Sequence, residues 1–129
     1  MTQSLLHYQL VALDCPDALA LADFYSRLTG LPVEPLGDFE PDDVAWIELD
    51  SGDRPTLAFQ KVDNYVAPTW PGGPVPQQLH LDFEVDDLDE SEAFVVAQGA
   101  RKHEVQTGTT FRVYLDPVGH PFCLVLRGG

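Results

Sequence analysis

The plainest pattern in the chain runs from Gln78 to Val85, where Leu79, Leu81, Phe83 and Val85 alternate with Gln78, His80, Asp82 and Glu84. Successive side chains of a strand point to opposite faces, so this stretch predicts one apolar and one polar face. Asp87 or Asp89 can cap a following helix, in which Phe94, Val95 and Ala97 supply apolar positions and Gln98-Gly99-Ala100 makes the stop. Val105 is placed on a short strand. Phe111–Leu115 and Pro121–Leu126 read as two more, joined by Asp116-Pro117-Val118-Gly119.

The first part of the chain reads the same way. Gln9 to Leu13 is a strand, and Asp17 is a good N-cap because its carboxylate can accept from the open N–H groups of a first turn. Residues 18–29 follow with helical spacing, placing Leu21, Phe24, Tyr25 and Leu28 on one face. Gly30 suits a left-handed stop, and Pro32 prevents continuation. Val33 to Leu36 is a short strand and Gly37 to Asp43 an acidic loop. Ala45 to Leu49 and Thr56 to Val62 are strands around the turn Asp50-Ser51-Gly52-Asp53.

Between these parts lie Pro68, Pro71, Pro74 and Pro76 with Gly72 and Gly73, which no central strand or helix interior accommodates. The segment 63–77 is therefore read as a connector between a first module, 8–62, and a second, 78–127, within one domain spanning 1–129. The modules repeat. Asp17 with Asp87, Phe24 with Phe94 and Leu10 with His80 pair at a constant offset of 70, and the turn Asp50–Gly52 resembles Asp116–Gly119. Each module reads βαβββ and can cover only one sheet face with its helix. The expected fold is α+β: two repeats forming one cupped, mixed sheet of about eight strands, helices on the outer face.

That arrangement sorts the side chains. His80, Asp82 and Glu84 point into the hollow. Matching the repeats through their turns places Trp46 opposite Arg112 and Glu48 opposite Tyr114, so these four line the hollow too, while Ile47, Leu49, Val113 and Leu115 face the helices. An aromatic wall with one cation and several carboxylates suits an amphipathic small molecule. The alternative is a hollow filled by its own side chains, with Arg112 paired to Glu48.

Composition narrows the partners. With 21 acidic and 7 basic residues the net charge is −14, a field that repels phosphate backbones and attracts cations. Nucleic acid is not an expected partner. No apolar run is long enough for a membrane helix, and the start Met1–His7 lacks the character of a leader, which together point to the cytoplasm. The two cysteines, Cys15 and Cys123, are expected to be free thiols. Cys123 is either a nucleophile or a small buried hydrophobe; no fixed cation beside it favours its thiolate. Trp70 in the connector is either a lid or an oligomer contact.

The stretches LDCPDALALADFYSRLTGLPV, QLHLDFEVDDLDESEAF and YLDPVGHPFCLVL resemble the glyoxalase, bleomycin-resistance and extradiol-dioxygenase superfamily of vicinal oxygen chelate proteins, over residues 9–126. The resemblance is greatest to its short glyoxalase-like domains. It implies the cupped fold and, weakly, a homodimer. Metal-dependent members hold a divalent ion with four side chains, which carry over to Leu10, Gln60, His80 and Cys123. His80 fits, Gln60 is a weak oxygen donor, Leu10 cannot bind a metal and Cys123 replaces a glutamate. The set is depleted, so no cofactor is expected; Asp82 or Glu84 are substitute ligands on the same face. Three functions follow from the resemblance. One is metal-independent binding, with lyase- or isomerase-type chemistry in reach, using His80 as acid and base and Gln60, Asp82, Arg112 and Tyr114 as positioning groups. The second is drug sequestration of the bleomycin-resistance kind. The third is a divalent-metal lyase or dioxygenase.

Overall fold

The computed structural model describes residues 5–128; residues 1–4, which belong to the start examined above for a leader, and residue 129 lie outside the described residues. The chain divides into two compact units, Met1–Tyr65 and Val66–Gly129. Among the described residues no helix is long and apolar enough to cross a membrane.

The first unit contains β1 (Leu10–Cys15), α1 (Ala18–Thr29), a single 3-10 turn (Pro41–Asp43), β2 (Trp46–Glu48) and β3 (Thr56–Lys61). The sheet order is β1-β3-β2, with β1 parallel and β2 antiparallel to β3. Helix α1 starts where the sequence places it, with the Asp17 carboxylate accepting from the Ala20 N–H at 3.1 Å. It ends on Gly30 at φ 78°, a left-handed conformation that costs a residue without Cβ nothing. Its buried face carries Leu21, Phe24 and Tyr25, and the Tyr25 ring stacks on Phe59 of β3 at 5.7 Å. Each such side chain contributes roughly 1.5–3 kcal/mol by leaving water. The expected strand Val33–Leu36 is reduced to one bridge, Val33 to Leu49.

The second unit contains β4 (Leu81–Val85), α2 (Leu88–Ala97), β5 (Arg101–Lys102), β6 (Phe111–Leu115) and β7 (Pro121–Leu126), in sheet order β4-β7-β6-β5. Both units are thus βαβββ, and the named strands number seven with the Val33 bridge in the eighth place. Of the two candidate caps for α2, Asp87 is the one used, accepting from the Glu90 N–H at 2.9 Å. Only Val95 of this helix is buried, and Phe94 is 45% exposed, so α2 covers its sheet through a narrower stripe than expected. Strand β4 begins at Leu81 rather than Gln78, and the short strand expected at Val105 lies instead at β5. Residues from Val66 onward, most of the segment 63–77, belong to this unit.

The ladders correct the repeat alignment. Ala12 pairs with Ala58 in β3, and Asp82 pairs with Cys123 in β7. Glu48 faces Ala58, and Val113 faces Cys123. The hairpins therefore correspond at an offset of 65 (Cys123 against Ala58), one less than matching Asp50 to Asp116 gives. Both aspartates do build turns: Asp50 Oδ1 accepts from the Gly52 N–H, and Asp116 Oδ1 from those of Val118 and His120, all at 3.0 Å. They sit one position apart, however. A slip of one residue exchanges the two faces of a strand, and β6 is where that matters.

Candidate functional site in the second unit

Because Val113 faces Cys123 and Asp82 faces Cys123 in turn, these three side chains share the sheet face away from α2. They line a cleft of about 340 Å³ that lies wholly within the second unit. Trp70, Phe111, Val113, Pro121 and Val125 form its apolar walls, and Gln77, His80 and Asp82 its polar ones, with Cys123 on the floor. The wall is held in place from behind. The Gln106 side chain donates to the Val113 carbonyl and accepts from the Val113 N–H, both at 2.9 Å, extending the ladder of β6 with an amide. His103 donates its backbone N–H to the same carbonyl at 3.0 Å. Its ring meets Trp70 edge to face at 4.9 Å, which fixes the indole at the rim.

At the polar end His80 Nε2 lies 3.2 Å from Asp82 Oδ1, with both side chains partly open to solvent. Cys123 is 7% exposed, and its thiol lies close to the Asp82 carboxylate, within 4.8 Å. Burial, and then the Asp82 charge, push its pKa up to about 11. At neutral pH the sulfur keeps its proton and is a poor nucleophile. Its behaviour is that of a small floor residue.

Arg112 and Tyr114 are on the other face, against the expectation that they line the hollow. The Tyr114 hydroxyl donates to Glu92 Oε1 of α2 at 2.8 Å, and its ring stacks on Phe122 at 5.6 Å. Arg112 reaches Asp89 at 2.8 Å and Glu92 at 3.2 Å, so its partner is α2 and not Glu48. Lys102 closes the cluster at 3.0 Å from Glu92, whose carboxyl is held below its usual range by the donors Lys102 and Tyr114. These side chains lock helix to sheet. Val113, expected beneath the helix, is in the cleft instead. The physical reason is the one-residue register shift: the true counterparts of Trp46 and Glu48 are Phe111 and Val113. Glu84 shares the face of His80 and Asp82 but ion-pairs with Arg127 at 3.3 Å.

In the first unit Trp46, Glu48 and Gln60 lie on the sheet face away from α1, as expected. The Trp46 indole donates to Glu48 at 3.0 Å, and exposed Gln60 stands opposite Trp46. The cleft residues missed in the sequence are Gln77, Phe111, Val113, Pro121 and Val125. Phe111 and Val113 were hidden by the register slip. Gln77 carried only the proline-rich context that pointed to a connector.

The residues present do not fit a four-ligand divalent centre of the family kind. Leu10 offers no donor atom, and burial with the neighbouring Asp82 charge keeps the Cys123 thiol protonated. Among the described residues the donors that do converge are His80, Asp82 and Cys123, within 4.8 Å of one another.

Known proteins place the fold. The structure superposes on a glyoxalase family protein from Enterococcus faecalis with a TM-score of 0.65 at 21% identity, covering 94% of this chain and 98% of that one. A glyoxalase/bleomycin resistance protein/dioxygenase family enzyme from Burkholderia phytofirmans PsJN gives 0.64 at 18% identity, covering 92% and 96%. TioX from Micromonospora sp. ML1 gives 0.59 at 18% identity, covering 93% and 98%. At such identities the likeness is one of fold. No curated protein matches in sequence. The glyoxalase-like domain family, in contrast, matches residues 10–125, from the first residue of β1 nearly to the end of β7. On that match the chain belongs to the glyoxalase-like domain family, within the vicinal oxygen chelate superfamily.

Proposed function

We propose that the protein binds a compact, largely apolar organic molecule in the cleft of its second unit, and does so without the divalent centre of its metal-dependent relatives. The observation that carries this reading is the cleft itself. Tryptophan, phenylalanine and two valines surround about 340 Å³ of space, and a histidine–aspartate pair closes one end. Ligand sites commonly have this make-up, apolar walls with a few convergent polar groups. With Cys123 protonated, His80 is the cleft side chain whose chemistry suits general acid–base work. The chemistry within reach is therefore acid–base catalysis on a bound molecule, or holding that molecule unchanged. Bleomycin-type sequestration is the second reading, favoured by the net charge of −14.

Both readings require the cleft to be filled, which a thermal-shift screen of bicyclic aromatic fragments measures. Fragments that raise the melting temperature should lose their effect in Trp70→Ala and in His80→Ala. Each variant should still fold, because both side chains lie at the rim. A screen without any stabilising fragment, or stabilisation untouched by both substitutions, removes the proposal.

A further inference from the structure

The polar groups at the cleft have one chemical character. The Gln77 side-chain oxygen is buried and meets no hydrogen-bond donor. Such an atom costs free energy until a donor reaches it. Asp82 presents a carboxylate, which only accepts. His80 stands with Nε2 3.2 Å from that carboxylate, and a neutral imidazole offers one of its two nitrogens as an acceptor. The Cys123 thiol on the floor is buried beside that same carboxylate. None of the nine lining residues is lysine or arginine. Of the cations of this unit, Arg112 and Lys102 are held by Glu92 and Arg127 by Glu84 and Asp86, and Arg101 on β5 is not among the residues that line the cleft.

A ligand entering this cleft must therefore bring donors, and preferably positive charge. An anion would face Asp82 with nothing to offset it. We infer that the ligand is a primary ammonium on an apolar, ring-sized body: the body lies against Trp70 and Phe111, and the ammonium meets Asp82, Gln77 Oε1 and His80. A primary ammonium carries three N–H donors, matching these three acceptors. The inference rests on the cleft being a ligand site and specifies the head group it selects.

Four probes sharing one ring system test it by calorimetry at pH 7: 1-naphthylmethylamine, 1-naphthylmethanol, 1-naphthoate and (1-naphthylmethyl)trimethylammonium. The amine should bind at least 10-fold tighter than each of the others. The trimethylated probe separates donation from charge, since it keeps the charge and loses every N–H. Gln77→Leu should weaken the amine about 10-fold and leave the alcohol unchanged, whereas Gln77→Glu should tighten the amine by a similar factor. Equal affinity for the amine and the alcohol, or an amine indifferent to both Gln77 substitutions, overturns the head-group assignment while the cleft stands. No binding by any of the four probes overturns the cleft as well.

Discussion

Cys123 shows how one neighbour sets the chemistry of a side chain. Its thiol is pushed up to about 11, first by burial and then by the Asp82 carboxylate. Asp82→Asn removes the charge but not the burial, so the pKa should fall part of the way toward its ordinary value. In a Cys15→Ala background, alkylation by iodoacetamide at pH 8.5 should then speed up several-fold. A rate equal to that of the parent would show that Asp82 does not govern the thiol. The sign of the stability effect follows from linkage. The folded state holds this proton more tightly than the unfolded state, so the contribution is complete below the unfolded value near 9 and is lost as pH rises toward about 11. Urea midpoints should fall across that window more steeply in the parent than in Cys123→Ala. Tyr114 offers a second test at this scale. Tyr114→Phe removes one donor to Glu92 while Lys102 and Arg112 remain, so it should cost about 1 kcal/mol in urea unfolding and leave probe binding intact.

At the scale of elements, both helices open on an aspartate that satisfies a first-turn N–H. Asp17→Ala and Asp87→Ala should each cost about 1 kcal/mol, read from unfolding curves, and Asp→Asn much less. These caps were legible in the sequence because a cap is local: an acceptor, a spacing and a following apolar stripe. The alternation in β4 was legible for the same reason, and it correctly placed His80 and Asp82 away from the helix. What failed was β6. Its alternation is clean, Phe111, Val113 and Leu115 against Arg112, Tyr114 and Asp116, but it does not say which of the two sets meets the helix. The repeat was asked to decide, and two turn aspartates in non-equivalent positions decided it wrongly. Tyr114 is buried through its ring and satisfied by Glu92, a combination that sequence shows only once the facing helix is known. Gln77 escaped for another reason: prolines mark where a strand cannot be, not what an irregular segment packs against. Val113→Thr puts these alternatives to the test. On a cleft wall it should weaken probe binding, and its cost in stability should be smaller than that of Phe122→Ala, which at full burial is expected near 3–5 kcal/mol.

For the whole molecule the dominant fact is charge. A net −14 over 129 residues means that the folded state carries its own repulsion, which added salt screens. Raising sodium chloride from about 10 to about 200 mM shortens the screening length from roughly 30 Å to below 10 Å, and the melting temperature should rise with it. The same titration should weaken binding of a cationic probe and leave a neutral one unaffected.

The parallel pairing of β4 with β7 has one more consequence. The first strand of the second unit finds its neighbour only when the last strand has been made, some 40 residues later, and Cys123 arrives with that strand. A polypeptide halted before residue 121 would own the imidazole and the carboxylate but no surface beneath them. The cleft therefore exists only once β7 has joined its neighbours, so an assay of the cleft also reads completion of this sheet.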